Sequence, residues 1–244
     1  MDNTLYVGLS RQMTLRRELD IVANNMANAD TAGFKVESLM VGAEPGNRAR
    51  TAQAPGPAKF VLDRGLARDF GQGSLNETGN AFDFAIEGDG FFRIQTAEGE
   101  RYTRNGQFNV DGQGQLTTQA GAVVLGDGGP IVVDFEKGPV AVGDDGTVSQ
   151  GQEVIGKLGV FRFDDRASLE KTGDNLFRNV SNLQPQAAPD AKVRQGMLEA
   201  SNVKPILEMT RLIEISRAYE SITRMMESTN ELTRRSVERL GRVS

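Results

Sequence analysis

The chain has 244 residues, 28 basic and 33 acidic side chains, a net charge of −5, and no His, Cys or Trp. Lacking Cys and His, it offers no disulfide, no thiolate nucleophile, no Cys-based metal centre and no Ser-His-Asp arrangement. The acidic balance argues against nucleic acid as a partner, and the remaining enzyme chemistry is paired carboxylates, lysine chemistry or a carboxylate-bound hard metal.

The first predicted element is a helix over about Asn3 to Ala27. Leu5, Leu15, Leu19, Val22 and Met26 fall on a 3–4 spacing, with Leu9 and Met13 widening the stripe and no Pro interrupting it. Four Asx residues follow within Asn24-Asn25-Met26-Ala27-Asn28-Ala29-Asp30, and they compete with the helix for backbone hydrogen bonds. Gly33 supplies a residue free to adopt positive φ, and Phe34 an apolar anchor behind it, so the segment reads as a fixed bend. Residues 42–60, including Ala54-Pro55-Gly56-Pro57, read as an irregular connector within a 36–76 arm.

The periodicity then changes from helical to alternating. Strands are predicted at Phe82–Ile86, Gly90–Thr96, Tyr102–Arg104, Gln107–Val110, Ala122–Leu125, Ile131–Phe135 and Val154–Phe163, separated by Gly/Asp turns. That pattern places an all-β, sandwich- or barrel-like domain over residues 77–196. Residues 181–192 read as the return connector. Asp83, Glu87 and Asp89 are the candidate catalytic carboxylates. On one strand face Asp83 and Glu87 would lie ~13 Å apart, wider than the ~5–9.5 Å that glycoside hydrolysis uses. The Asp-Gly turns at 111–114, 126–129 and 143–146 lack the spacing of an EF-hand calcium loop. No catalytic, metal or cofactor site is expected.

The last element is a helix from about Val203 onward, with Asn202 as N-cap and Pro205 in the first turn. Leu212, Ile215, Tyr219, Ile222 and Met226 form one stripe, and Ile206, Met209 and Ile213 a second. A helix apolar over so much of its girth needs neighbours on more than one side. Net charge is 0 over residues 1–35 and +2 over 204–244, so the middle carries −7. No apolar run approaches the ~20 residues of a bilayer span, so no membrane insertion is expected. The opening Met-Asp-Asn, followed by Arg11, Arg16 and Arg17, lacks the basic-then-apolar order of a cleavable signal peptide.

Asn24-Asn25-Met26-Ala27-Asn28, with Thr31-Ala32-Gly33-Phe34-Lys35, resembles the N-N-L-A-N-x-x-T-x-G-F-K signature of bacterial flagellar rod and hook proteins. Met26 replaces the usual Leu. The similarity continues through Gln72-Gly73-Ser74-Leu75, Ala85–Phe92, Tyr102-Thr103-Arg104-Asn105-Gly106-Gln107-Phe108, Ser201-Asn202-Val203, Glu208–Ile213 and Arg217-Ala218-Tyr219-Glu220. It implies an α+β fold in which the N-terminal helix (1–35) and the C-terminal helix (197–244) pair in a coiled-coil-like domain beside the β-rich middle. It further implies a structural subunit stacking helically with itself and other axial proteins. In that role Leu5, Leu15, Leu19, Val22, Leu212, Ile215, Tyr219 and Ile222 would pack subunits together, and Asn24, Asn25, Asn28, Thr31, Gly33, Phe34 and Lys35 would fix the bend. By the same resemblance the flagellar type III export apparatus is a partner, export needs no cleavable signal, and the protein resides in the basal body across the periplasm. Length and opening residues resemble a proximal-rod member. The alternatives are a distal-rod or hook-type axial protein, a phage-tail-like assembly protein, or a saccharide-binding protein.

Overall fold

The computed structural model describes residues 2–43, 61–181 and 183–240. The fold is α+β: one helix at each end of the chain and antiparallel sheets between them. The chain divides into two compact units. One comprises Met1–Ala27, Glu37–Arg68 and Lys204–Ser244, and the other Asn28–Val36 and Asp69–Val203.

The helical unit contains α1 (Asp2–Ala27), a two-stranded antiparallel sheet of β1 (Glu37–Ala43) and β2 (Val61–Arg68), and α2 (Pro205–Leu240). α1 and α2 run antiparallel. Gln12 Nε2 donates to Thr223 Oγ1 at 3.2 Å, and Asn25 Nδ2 donates to Glu208 Oε2 at 3.0 Å. This register sets Leu15, Leu19 and Val22 opposite Tyr219, Ile215 and Leu212. Leu15 and Val22 are buried, and the other four and Ile222 half-buried. Full burial of a Leu such as Leu15 is worth about 1.5–3 kcal/mol. The helices approach closely at Gly8, where a Cβ would stand 3.2 Å from Met226 Cγ.

Next come β3 (Leu75–Glu77), β4 (Phe84–Glu87), β5 (Phe91–Thr96), β6 (Gly99–Thr103), β7 (Phe108–Val110), β8 (Leu116–Thr118), β9 (Val123–Gly126) and β10 (Gly129–Pro130). They are followed by β11 (Val140–Val142), β12 (Thr147–Gln150), β13 (Glu153–Lys157), β14 (Val160–Arg162), β15 (Leu169–Gly173) and β16 (Leu176–Asn179), then β17 (Gln186–Ala187), β18 (Lys192–Gln195) and β19 (Met197–Glu199). The main sheet runs β15-β16-β6-β5-β9-β8-β7, and β18-β4 and β19-β3 form two-stranded ribbons. Side chains alternate along β5, so neighbouring residues enter different cores. Phe92 and Ile94 enter one core with Phe84, Ile86, Phe108 and Val124, while Phe91 joins a second with Phe70, Tyr102, Phe163 and Phe177. In the second core Phe91 meets Phe70 and Phe177 edge-on at centroid distances of 5.6 and 5.8 Å.

Several sequence expectations are corrected. The 36–76 arm is not irregular throughout, since β1, β2 and β3 lie in it. β1 and β2 stabilise each other across a Gly/Pro-rich connector whose composition hides them; residues 44–60, with Ala54-Pro55-Gly56-Pro57, lie outside the described residues. Bend residues Asn28–Lys35, expected in the helical domain, group with the β-rich unit, as does Met197–Val203. Val154–Phe163 is two strands, parted where Leu158 turns its N–H to Gly146 O. Val132 makes only an isolated bridge to Gln115, so Ile131–Phe135 is not a strand. Asn202 does not cap α2: Lys204 precedes the first helical residue, Pro205, and its carbonyl accepts from the Leu207 and Glu208 N–H groups.

Candidate functional site

Beyond α1 the chain turns through the Asx-rich bend. Thr31 bonds back to Asn28 through both backbone N–H and side chain, and the Phe34 N–H donates to Thr31 O. Gly33 has φ +68, and a Cβ there would stand 2.4 Å from the backbone of Arg104 and Asn105. Only glycine fits both the conformation and the space. The Gly33 N–H donates to Glu199 O at 2.7 Å. Phe34 is buried, with Lys171 Nζ 4.4 Å from its ring centroid, a cation–π contact. Asn175 Nδ2 donates to Ala32 O from a turn in which Asp174 and Asn175 both have positive φ.

Lys35 completes the bend. Its Nζ lies 2.6 Å from Glu199 Oε1 and donates to Gly71 O at 2.8 Å. Glu199 Oε1 also accepts from the Gly73 N–H at 2.9 Å, and its Oε2 meets Arg104 Nη1 at 3.2 Å. Arg104 reaches on to Ile86 O and Gly88 O, and Gln72 bridges the same loop by donating to Ile86 O and accepting from the Gly88 N–H. Asn202 Oδ1 accepts from the Val36 N–H while its Nδ2 donates to Asp69 O and Gly71 O. Lys35, Gly73 and Arg104, from three separate sequence blocks, therefore meet at one buried carboxylate, and Asn202 joins the cluster through Gly71 O. Burial lowers the pKa of Lys35 and of Arg104, and Glu199 opposes the shift in both. Two cations facing one carboxylate in a water-excluded site make a structural lock rather than a proton-transfer device.

In the helical unit Asn25 is fully buried. Its Nδ2 donates to Glu37 O at 2.8 Å and to Glu208 Oε2, and its Oδ1 accepts from the Glu37 N–H at 3.0 Å. It ties the end of α1 to the start of β1 and the first turn of α2. Arg68 pairs with Glu37 at 2.7 Å and Arg211 with Glu208 at 3.0 Å. Asn24 is exposed on α1. The side chain of Leu5 lies outside the described residues.

The carboxylates singled out for chemistry have structural partners. Asp83 is buried and accepts from Thr78 Oγ1 and Asn80 Nδ2, Glu87 pairs with Arg194, and Asp89 pairs with Arg166. Among the described residues no three His, Cys, Asp or Glu are placed to hold a metal ion, and no helix is long and apolar enough to cross a membrane. Glu199, Glu37 and Glu208 escape sequence reasoning as partners. The available signal was Lys35 between Phe34 and Val36: a cation in an apolar stretch requires an acid elsewhere.

Three family models match in order: "Flagella basal body rod protein" over residues 5–35, "Flagellar hook protein FlgE/F/G D1 domain" over 85–150, and "Flagellar basal body rod FlgEFG protein C-terminal" over 194–239. The chain is 58% identical to the flagellar basal-body rod protein FlgF of Caulobacter vibrioides, covering 100% of both chains. The chain belongs to the flagellar basal-body rod family. It is also 37% identical to FlgF of Mesorhizobium japonicum over 99% of each chain, and 31% identical to the rod protein FlgG of Bacillus subtilis over 95% of this chain and 97% of that one. Each matched block contributes to the two networks: Lys35 closes the first, Arg104 lies within the second, and Glu199 and Glu208 lie within the third. In this rod protein Glu199 is the centre of the network in the β-rich unit and Asn25 the centre of that in the helical unit.

Proposed function

We propose that this chain is a structural subunit of the proximal flagellar rod, polymerising with itself and other axial proteins into the periplasmic shaft that carries torque to the hook. The helical unit supplies the core contacts and the β-rich unit an outer domain. The reading rests on one observation, the placement of apolar surface on the helical unit. Tyr6, Leu9 and Met13 are exposed on the first half of α1, and Ile206, Leu207, Met209 and Ile213 on the first turns of α2, with Ile206 81% exposed. Because the helices are antiparallel, these patches fall at opposite ends of the pair. Leu9 stands level with about residue 225, so the patches are roughly 24 Å apart along the axis. Unlike patches displaced along an axis suit head-to-tail contacts, which build open filaments rather than closed dimers. Leu15, Leu19, Val22, Leu212, Ile215, Tyr219 and Ile222 hold the pair together beneath the patches, and the sequence spacing assigns Leu5 to the same role. The bend residues Asn24, Asn25, Asn28, Thr31, Gly33, Phe34 and Lys35 set the path of the chain leaving α1. The role is mechanical, not enzymatic, and delivery is by the flagellar type III export apparatus without signal cleavage.

The test is incorporation. In a strain lacking the native gene, Ile206→Asp with Ile213→Asp should abolish swimming and remove the protein from purified basal bodies. The thermal midpoint of the purified subunit should hardly move, because exposed substitutions cost within about 0.5 kcal/mol. Normal incorporation of this variant overturns the reading.

A further inference from the structure

Methionine is the chain's only sulfur residue, and there is no Trp. It is therefore the side chain that a hydroperoxide oxidises most readily. The methionines are unequally placed. Met13 is 66% and Met209 53% exposed, one in each apolar patch of the helical unit, and Met40 and Met225 are each 45% exposed. Met26, Met197 and Met226 are half-buried, and Met226 lies against Gly8 between the helices. We propose that Met13 and Met209 are oxidative modification sites of the free subunit, and that their sulfoxides bar it from the rod. This rests on the reading that both patches are covered on assembly.

The chemistry needs only a hydroperoxide. A lone pair on the thioether sulfur attacks one peroxide oxygen and forms the S–O bond. The O–O bond breaks, and the second oxygen leaves as water after proton transfer. Sulfur is oxidised by two electrons and the peroxide reduced by two. The product replaces a flexible apolar side chain with a polar, chiral one. In each patch the new oxygen is solvated while the subunit is free, and it loses that water when the patch is covered. An acceptor buried without a donor weakens the contact by roughly tenfold or more per site. Sulfoxide reductases reverse the step, so the block is repairable until the subunit is built in.

The experiment treats the purified full chain and purified basal bodies with hydrogen peroxide and follows the added oxygen at each Met by peptide mass spectrometry. In the free chain Met13 and Met209 should oxidise several times faster than Met26, Met197 and Met226, and in basal bodies both should be protected. In cells, Met13→Gln with Met209→Gln, a polar mimic, should fail to incorporate. Met13→Leu with Met209→Leu should incorporate normally and make the peroxide-treated subunit competent. Free-chain rates at Met13 and Met209 no higher than at Met26, Met197 and Met226, or full incorporation of the Gln pair, overturn the inference. Equal oxidation of the two in basal bodies and in the free chain instead overturns the assembly reading beneath it.

Discussion

Lys35 and Glu199 are joined at 2.6 Å with neither side chain exposed to solvent, although 164 residues separate them. Arg104 shares the same carboxylate. Because one anion serves two cations, the cluster does not respond symmetrically to mutation. Glu199→Ala strands Lys35 and Arg104 as neighbouring buried cations and should cost about 3–5 kcal/mol. Lys35→Met leaves Glu199 paired to Arg104, loses the bond to Gly71 O, and should cost about 1–3 kcal/mol. Urea denaturation of the purified chain orders the two, and equal losses would mean that Arg104 does not hold the carboxylate.

Asn25 supplies a similar contrast in the helical unit. Asn25→Ala removes three hydrogen bonds and should cost about 1–3 kcal/mol for the groups left unsatisfied. Asn25→Asp changes no volume, yet it points a carboxylate at Glu208 and forfeits both donors. It should cost about 3–5 kcal/mol at neutral pH. Thermal unfolding at pH 7 should rank Asp below Ala. The reverse order would show that Glu208 is not the neighbour that matters.

Glycine positions separate backbone strain from lack of space. Gly33 and Gly79 have nearly the same φ, +68 and +72, but a Cβ at Gly79 would meet nothing within 4 Å. Gly79→Ala should cost about 1 kcal/mol for the left-handed backbone alone. Gly33→Ala adds collision with the Arg104–Asn105 backbone and should cost about 2–5 kcal/mol. A Gly33→Ala midpoint no lower than that of Gly79→Ala would refute the close approach.

Tyr102 makes stability depend on alkaline pH. Burial, assisted by the Glu100 carboxylate, raises its pKa from 10.0 to about 12. Between those values the unfolded chain releases a proton that the folded chain keeps, so stability falls as pH rises through the window. Lys35 acts in the opposite sense, because burial lowers its folded pKa and its charging penalty is relieved as pH rises. The difference between wild type and Tyr102→Phe isolates the phenol. That difference should move steadily against the wild type from pH 10 to pH 12. A flat difference would place the phenol in water.

How much of this was legible in the sequence follows from how local each signal is. The 3–4 spacing from Leu5 to Met26 predicts α1 over Asn3–Ala27, and the helix spans Asp2–Ala27. Alternation located strands such as Phe91–Thr96, where Phe91 and Phe92 enter different cores. β1 and β2 were missed because each gains its partner only across residues 44–60. Asn202 was read as a cap from its neighbours alone, whereas its side chain is committed to Val36, Asp69 and Gly71. The bend was legible as a motif. Its purpose was not, since Glu199 and Arg104 stand far from Lys35 in the chain, and nothing local marks Glu199 as the acid that Lys35 requires.

The Lys35–Glu199 contact also sets an order of events. A pair separated by 164 residues forms only after nearly the whole β-rich segment is available, and such long closures are slow. A chain that has presented only its first hundred residues holds Lys35 with no acid to receive it. Any folding from the leading end therefore leaves this buried charge cluster incomplete until Glu199 arrives, even where the apolar cores, which close by Val193, have already formed.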